Sequence, residues 1–193
     1  EICACLVGSE MCIRDRDLKD YSREQQEEIK KGLANGLSIE QVKNYMDLNI
    51  RPEEMEIRRI GFEEGLKNVE IEHCVKLYWK TKDYQIIDNA MAGYNAGLTR
   101  EQIELCVDIE ILPRVREQLM EGIIEKIPEN KLLVIKDATK NKKTEQVEYV
   151  SILLKFAKEN AITLENMQQI TEIDSVDAVS YTHLRAHETC ADL

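Results

Sequence analysis

The chain is short of the features that announce chemistry. It has one tryptophan, three histidines and three prolines in 193 residues. No run approaches the roughly 18 apolar residues that a membrane-spanning helix needs, which excludes one in this stretch of sequence. No glycine-rich loop follows a strand-like segment, so a phosphate cradle of the nucleotide-binding kind is not expected. No Cys-x-x-Cys spacing occurs in the body of the chain, which argues against a closed zinc site. Basic residues are in the minority, 26 against 37 acidic, for a net charge of −11. That acidity works against nonspecific attachment to nucleic acid or anionic membrane.

The two ends are set apart from the rest. Residues Glu1 to Asp15 can be encoded by a 45-base stretch whose reverse complement translates, in frame, as Val179 to Leu193, residue for residue. The core of the first, Cys5-Leu6-Val7-Gly8-Ser9-Glu10-Met11-Cys12-Ile13-Arg14-Asp15, resembles the translated end of a transposon-based sequencing adapter. Neither end shows helical periodicity. Residues 1-16 and 178-193 are therefore set aside as adapter-derived, and the genuine insert is expected to be a fragment of a longer protein.

With the ends removed, two cysteines remain, Cys74 and Cys106, and one histidine, His73. So sparse a thiol content fits a reducing, cytoplasmic compartment. The insert holds 23 basic and 32 acidic residues, net −9, after the three basic and five acidic residues of the ends are subtracted. Both cysteines fall on apolar stripes, so they read as small core hydrophobes rather than as metal ligands or nucleophiles. His73 and Cys74 are adjacent, and adjacent helical side chains point about 100° apart. No catalytic, metal-binding or cofactor-binding residue is expected, and the chain does not read as an enzyme.

What is there is a repeated joint. Gly36-Leu37-Ser38-Ile39-Glu40-Gln41-Val42 recurs as Gly97-Leu98-Thr99-Arg100-Glu101-Gln102-Ile103, and in worn form as Ala161-Ile162-Thr163-Leu164-Glu165-Asn166-Met167. Glycine ends one helix in the left-handed conformation. Ser38 or Thr99 caps the next, and Gln41 or Gln102 completes a capping box. Leu37 with Val42, and Leu98 with Ile103, form a hydrophobic staple. Shifting by 61 residues aligns Gly36–Gly61 on Gly97–Gly122 without a gap, with nine of 26 positions identical. A smaller unit shows in Gly32, Gly61, Gly93 and Gly122, spaced 29, 32 and 29 apart. Such periods belong to stacked helical units, none of which buries its apolar stripe alone.

The spacing predicts helices over 17–35, 38–48, 52–64, 68 onward with Asn68 as cap, 82–96, 99–109, from Pro113, 144–160, and a last one to about Ile173. Asn130 to Thr139 reads as helix on context, although its Leu-Leu-Val-Ile run also fits a buried strand. The paired small residues Gly32/Gly36, Gly61/Gly65, Gly93/Gly97 and Ala157/Ala161 predict close crossings by a neighbouring helix. The expected architecture is all-α: tandem antiparallel helical hairpins stacked as an α-solenoid-like array. Its parts are a helical-repeat region over 17-127, of two double units, and a C-terminal helical unit over 128-177.

Gln25-Gln26-Glu27-Glu28-Ile29-Lys30-Lys31-Gly32-Leu33-Ala34-Asn35-Gly36-Leu37 resembles the repeat of uncharacterised proteins from gut Firmicutes and their mobile elements. The resemblance covers about Tyr21 to Glu125 and fades in later copies, where Ile60 precedes Gly61 and Phe62 stands in place of leucine. It implies a helical repeat of bacterial or phage origin and brings no catalytic residues.

Two functions are weighed. A protein-interaction or scaffold module is the first, with Trp79, Lys82 and Tyr84 as candidate partner-binding residues, because aromatics beside basic residues anchor protein partners; against it stands the simpler reading of Trp79 as a helix-end residue packed on the next repeat. A helix-turn-helix DNA-binding regulator is the alternative. Its recognition helix would begin at Arg51-Pro52-Glu53-Glu54, an acidic turn that repels phosphate, with only Arg58 and Arg59 to offset it.

Overall fold

A computed structural model of the chain describes residues 18–140, 146–158 and 163–172, and these residues are all-α, with ten helices and no strand among them. They are α1 (Arg23–Ala34), α2 (Ile39–Lys43), α3 (Pro52–Glu63), α4 (Asn68–Thr81), α5 (Tyr84–Asn95), α6 (Arg100–Cys106), α7 (Pro113–Ile124), α8 (Glu129–Lys140), α9 (Gln146–Lys158) and α10 (Leu164–Thr171). The adapter-like ends, Ala161, Ile162 and the lysine-rich stretch after Lys140 lie outside the described residues.

The repeated joint is built as its residues dictate. Gly36, Gly65 and Gly97 have φ of +90°, +79° and +82°, the left-handed region that glycine enters without a Cβ clash. Around each, two backbone bonds close the helix end. Gly36 and Leu37 donate to the carbonyls of Leu33 and Gly32, Gly65 and Leu66 to Phe62 and Gly61, and Gly97 and Leu98 to Tyr94 and Gly93. This is the paired bonding of a Schellman stop. A fourth copy ends α7, where Lys126 and Ile127 donate to Ile123 and Gly122. There the left-handed residue is Lys126, at φ +64°. The leucine or isoleucine after each stop is buried: Leu37, Leu66, Leu98 and Ile127 are all 9% exposed or less.

Helix starts follow equally local rules. Ser38 and Thr99 form complete capping boxes with Gln41 and Gln102, and Thr163 caps α10 by accepting from the Asn166 N–H. Pro52 and Pro113 open α3 and α7 in the first turn, where a missing N–H costs nothing.

The glycines one turn before each stop are sites of close approach. A Cβ placed on Gly61 would lie 2.7 Å from Ile71 Cγ1, on Gly93 3.0 Å from Ile103 Cγ1, and on Gly122 2.9 Å from Leu132 Cδ2. In these three the intruder stands ten residues on, in the next helix. On Gly32 the new atom would fall 2.0 Å from the hydroxyl oxygen of Tyr45, in the turn after α2. Omitting a side chain here admits the next segment of chain, and that packing offsets the poor helix propensity of glycine.

Several helices are shorter than their periodicity predicts. The first begins at Arg23, not Asp17, because Ser22 and Gln25 make a capping box there. The second stops at Lys43, not Leu48: Asp47 accepts from the Asn49 N–H in a tight turn, and Gln25 Nε2 donates to the Leu48 and Ile50 carbonyls. Asn68 does not cap α4 but is its first residue; the Glu70 carboxylate instead accepts from the Lys67 N–H. The fifth begins at Tyr84, after Asp83 accepts from the Gln85 N–H. The sixth ends at Cys106, where Asp108 accepts from the Glu110 N–H in the same kind of turn as Asp47. Residues 129–140 are helical, with Leu132 and Ile135 fully buried.

The chain packs as two compact units, one up to Val75 and one from Lys76 onward. In the first, α1 packs on α2 and α3, around Ile29, Val42, Tyr45, Met55 and Ile57. In the second, α5 packs on α6 and α7, α7 on α8 and α9, and α10 on α8 and α9, around Ile103, Leu119, Leu132, Tyr149 and Phe156. Among the described residues, no helix is long and apolar enough to cross a membrane.

Candidate functional site

The turn between α4 and α5 gathers the aromatic and basic residues singled out in the sequence. Lys82 ends α4 by taking φ +56° and donating its N–H to the Tyr78 carbonyl, a single-bond left-handed stop. The chain reverses at once, because Asp83 is the N-cap of α5. Arg116, from α7, places Nη2 3.4 Å from the Asp83 carboxylate and so ties the turn to the body of the second unit.

This geometry folds Lys82 back over the aromatics. Its Nζ lies 3.4 Å from the centre of the Trp79 ring and 4.9 Å from that of Tyr78, well within cation–π range. Tyr78 meets Trp79 edge-on at 5.3 Å between ring centres and Tyr84 at 4.9 Å. Trp79, Lys82 and Tyr84 are therefore brought together. Their hub, Tyr78, is a buried residue of the apolar stripe. Helical spacing marks Tyr78 as core alone; its adjacency to Trp79 is the signal for a second role. Tyr84 is 39% exposed and Lys82 is exposed, while Trp79 is half-buried. Lys76 and Lys80, exposed on the last turns of α4, flank Trp79 at i−3 and i+1.

Two other groups of charge are internal. Arg59 is 8% exposed; its Nε donates to Glu28 at 2.7 Å and its Nη1 to both oxygens of Glu63 at 2.8 Å. Burial works against its charge, but these carboxylates outweigh it and raise its pKa. Arg58 is held by Glu54 at 2.9 Å and by Glu72 at 2.6 Å. In the second unit, Arg116 is 2% exposed and donates to the Asp108 carbonyl at 2.9 Å and to Asn89 Oδ1 at 3.5 Å. Burial dominates there and lowers its pKa, despite Asp83. Neither buried arginine is legible as such in the sequence, where each looks like a helix-surface charge.

The two thiols are core residues. Cys74 and Cys106 are fully buried, and desolvation pushes each up to about 12, far from a reactive thiolate. Among the described residues no group of His, Cys, Asp or Glu is placed to hold a metal ion. A cavity of about 410 Å3 opens beside the α7–α8 turn and is lined by Lys126, Lys131, Lys158 and Thr163 among others. Two of its lysines are engaged, Lys131 with the Ala157 carbonyl at 3.1 Å and Lys158 with Glu125 at 2.6 Å.

Set beside known proteins, the chain matches no family model, no curated protein and no solved structure.

Proposed function

We propose that the chain is a non-catalytic helical-repeat module for protein–protein interaction or scaffolding, from a cytoplasmic protein of bacterial or phage origin. Its antiparallel hairpins are read as an α-solenoid-like array. The observation that carries this reading is the fourfold joint: one Schellman stop after α1, α3, α5 and α7, each preceded by a glycine that lets the next segment approach closely. Repeated units of this kind present extended surfaces to partners. The clustered Trp79, Lys82 and Tyr84 supply an aromatic anchor on such a surface.

The DNA-binding alternative is weaker on one specific point. Arg58 and Arg59, the cations that a recognition helix in α3 would turn to phosphate, are both committed to carboxylates of the same unit. Panning a random peptide library against the protein tests the interaction reading. Enrichment of peptides that lose binding to the Trp79→Ala/Tyr84→Ala variant is expected. Absence of enrichment, or peptides indifferent to the variant, overturns it. A gel shift with duplex DNA at physiological salt is expected to give no complex.

A further inference from the structure

We propose that the face formed by Lys76, Trp79, Lys80 and Lys82 docks an acidic segment of a partner protein; this rests on the interaction reading and names the class of partner. The chain carries a net charge of −11, yet residues 76 to 82 hold three exposed lysines. Among the described residues, no ion pair joins Lys76, Lys80 or Lys82 to a carboxylate, whereas Arg58, Arg59, Arg100 and Lys140 are each paired with one. The one acid inside the turn, Asp83, is engaged by Arg116. Lys76, Trp79 and Lys80 stand at i, i+3 and i+4 of α4, one helical face. Lys82 extends that face by lying on the Trp79 ring.

A local cluster of this kind acts at short range, because exposed charges beyond about 8 Å are largely screened at physiological salt. The acidic remainder of the chain therefore does not cancel it at contact. The ring holds the Lys82 ammonium in place, which lowers the ordering cost when a carboxylate pairs with it. Single-stranded nucleic acid, the other anionic class, needs an open aromatic face for base stacking. Lys82 covers one face of Trp79, and Tyr78 meets it edge-on.

Trp79 is the chain's single tryptophan and reports directly on this face. Its fluorescence is followed while a short peptide of glutamates interrupted by leucine is added. A saturable change is expected, weakened by salt and weakened at least about tenfold in Lys76→Gln/Lys80→Gln. Lys30→Gln/Lys43→Gln, which removes two exposed lysines of α1 and α2, is expected to bind as the parent does. No saturable change, or equal loss in both variants, overturns the proposal. Equal binding of the peptide with glutamine in place of glutamate overturns the acidic class and leaves the interaction reading standing. Tighter binding of a charge-matched oligothymidylate overturns it in favour of nucleic acid.

Discussion

Helices α3 and α7 fall on one another when the sequence is shifted by 61 residues, yet they bury opposite patterns. At matching positions α3 carries Met55 and Arg59, and α7 carries Arg116 and Met120. All four are buried. The arginine has moved one turn along the helix and the methionine has taken its place, so the helix still buries one guanidinium and one thioether. The partners moved with it. Glu28, which binds Arg59, is matched by Asn89, which faces Arg116; Ser22, the N-cap of α1, is matched by Asp83, which caps α5 and also pairs with Arg116. The helix-end joints and the buried arginine–methionine pair are common to both helices, while the ionic wiring around the arginine differs at both of its ends.

The largest effect separates the two wirings. Arg59→Met leaves Glu28, 6% exposed, with only the half-exposed Lys31 to pair with, and should cost about 2 kcal/mol in denaturant unfolding. Arg116→Met should cost only about 1 kcal/mol, because Asp83 is partly exposed and 3.4 Å away. The double variant Glu28→Gln/Arg59→Met should recover much of the loss. If the single variant at Arg59 costs no more than that at Arg116, the two networks are energetically alike and the contrast fails.

Next comes the close approach of neighbouring segments. Gly32→Ala drives a methyl group to 2.0 Å from the Tyr45 hydroxyl, whose ring is fully buried, and should cost about 2 kcal/mol. Gly93→Ala meets Ile103 at 3.0 Å, where a small shift suffices, and the better helix propensity of alanine should hold the change to within about 0.5 kcal/mol of zero. Equal losses at the two sites, read from thermal melts, would show that packing tightness is the same in both.

A smaller, pH-dependent difference lies in the matched aspartates. Asp47 is exposed, whereas Asp108 contacts Lys140 at 2.8 Å and Lys136 at 3.5 Å. Burial alone would raise the Asp108 pKa; the Lys140 hydrogen bond, the Glu110 N–H and Lys136 outweigh it and hold the carboxyl low. A depressed folded-state pKa stabilises above the unfolded value, near 3.9, and the benefit is lost as pH falls through the folded one. Solvent around Lys140 screens the pair and keeps its contribution small. Asp108→Asn should therefore cost about 1 kcal/mol at neutral pH, and the gap from the parent should close below about pH 4. A gap that persists at low pH would trace the loss to shape rather than charge.

Local rules make the joints readable. Gly36-Leu37-Ser38 and Gly97-Leu98-Thr99 state a stop and a start within three residues, and the structure has both there. The lengths of α2 and α6 are not readable, because their early ends depend on Asp47 and Asp108 turning the chain and, for α2, on Gln25 reaching across from α1. The same holds for Arg59 and Arg116: a helical period marks them as surface, and only polar groups of other elements make burial tolerable. At the candidate site, Trp79, Lys82 and Tyr84 are visible as composition, but their meeting requires the left-handed turn at Lys82, a conformation that lysine does not advertise.

Lys82 and Lys126 give the finest comparison, since both are lysines held at positive φ at a helix end. Lys126 occupies the slot that glycine fills in the other three Schellman stops, so Lys126→Gly should stabilise the protein by about 1 kcal/mol. Lys82→Gly relieves the same backbone strain but removes the cation lying 3.4 Å from the Trp79 ring centre, an interaction of about 0.5–1 kcal/mol at an exposed site. The two terms nearly cancel, and thermal melts should show little change. A full gain in Lys82→Gly, equal to that in Lys126→Gly, would mean that the ring contributes nothing to holding Lys82, and the face of α4 would lose its ordered ammonium.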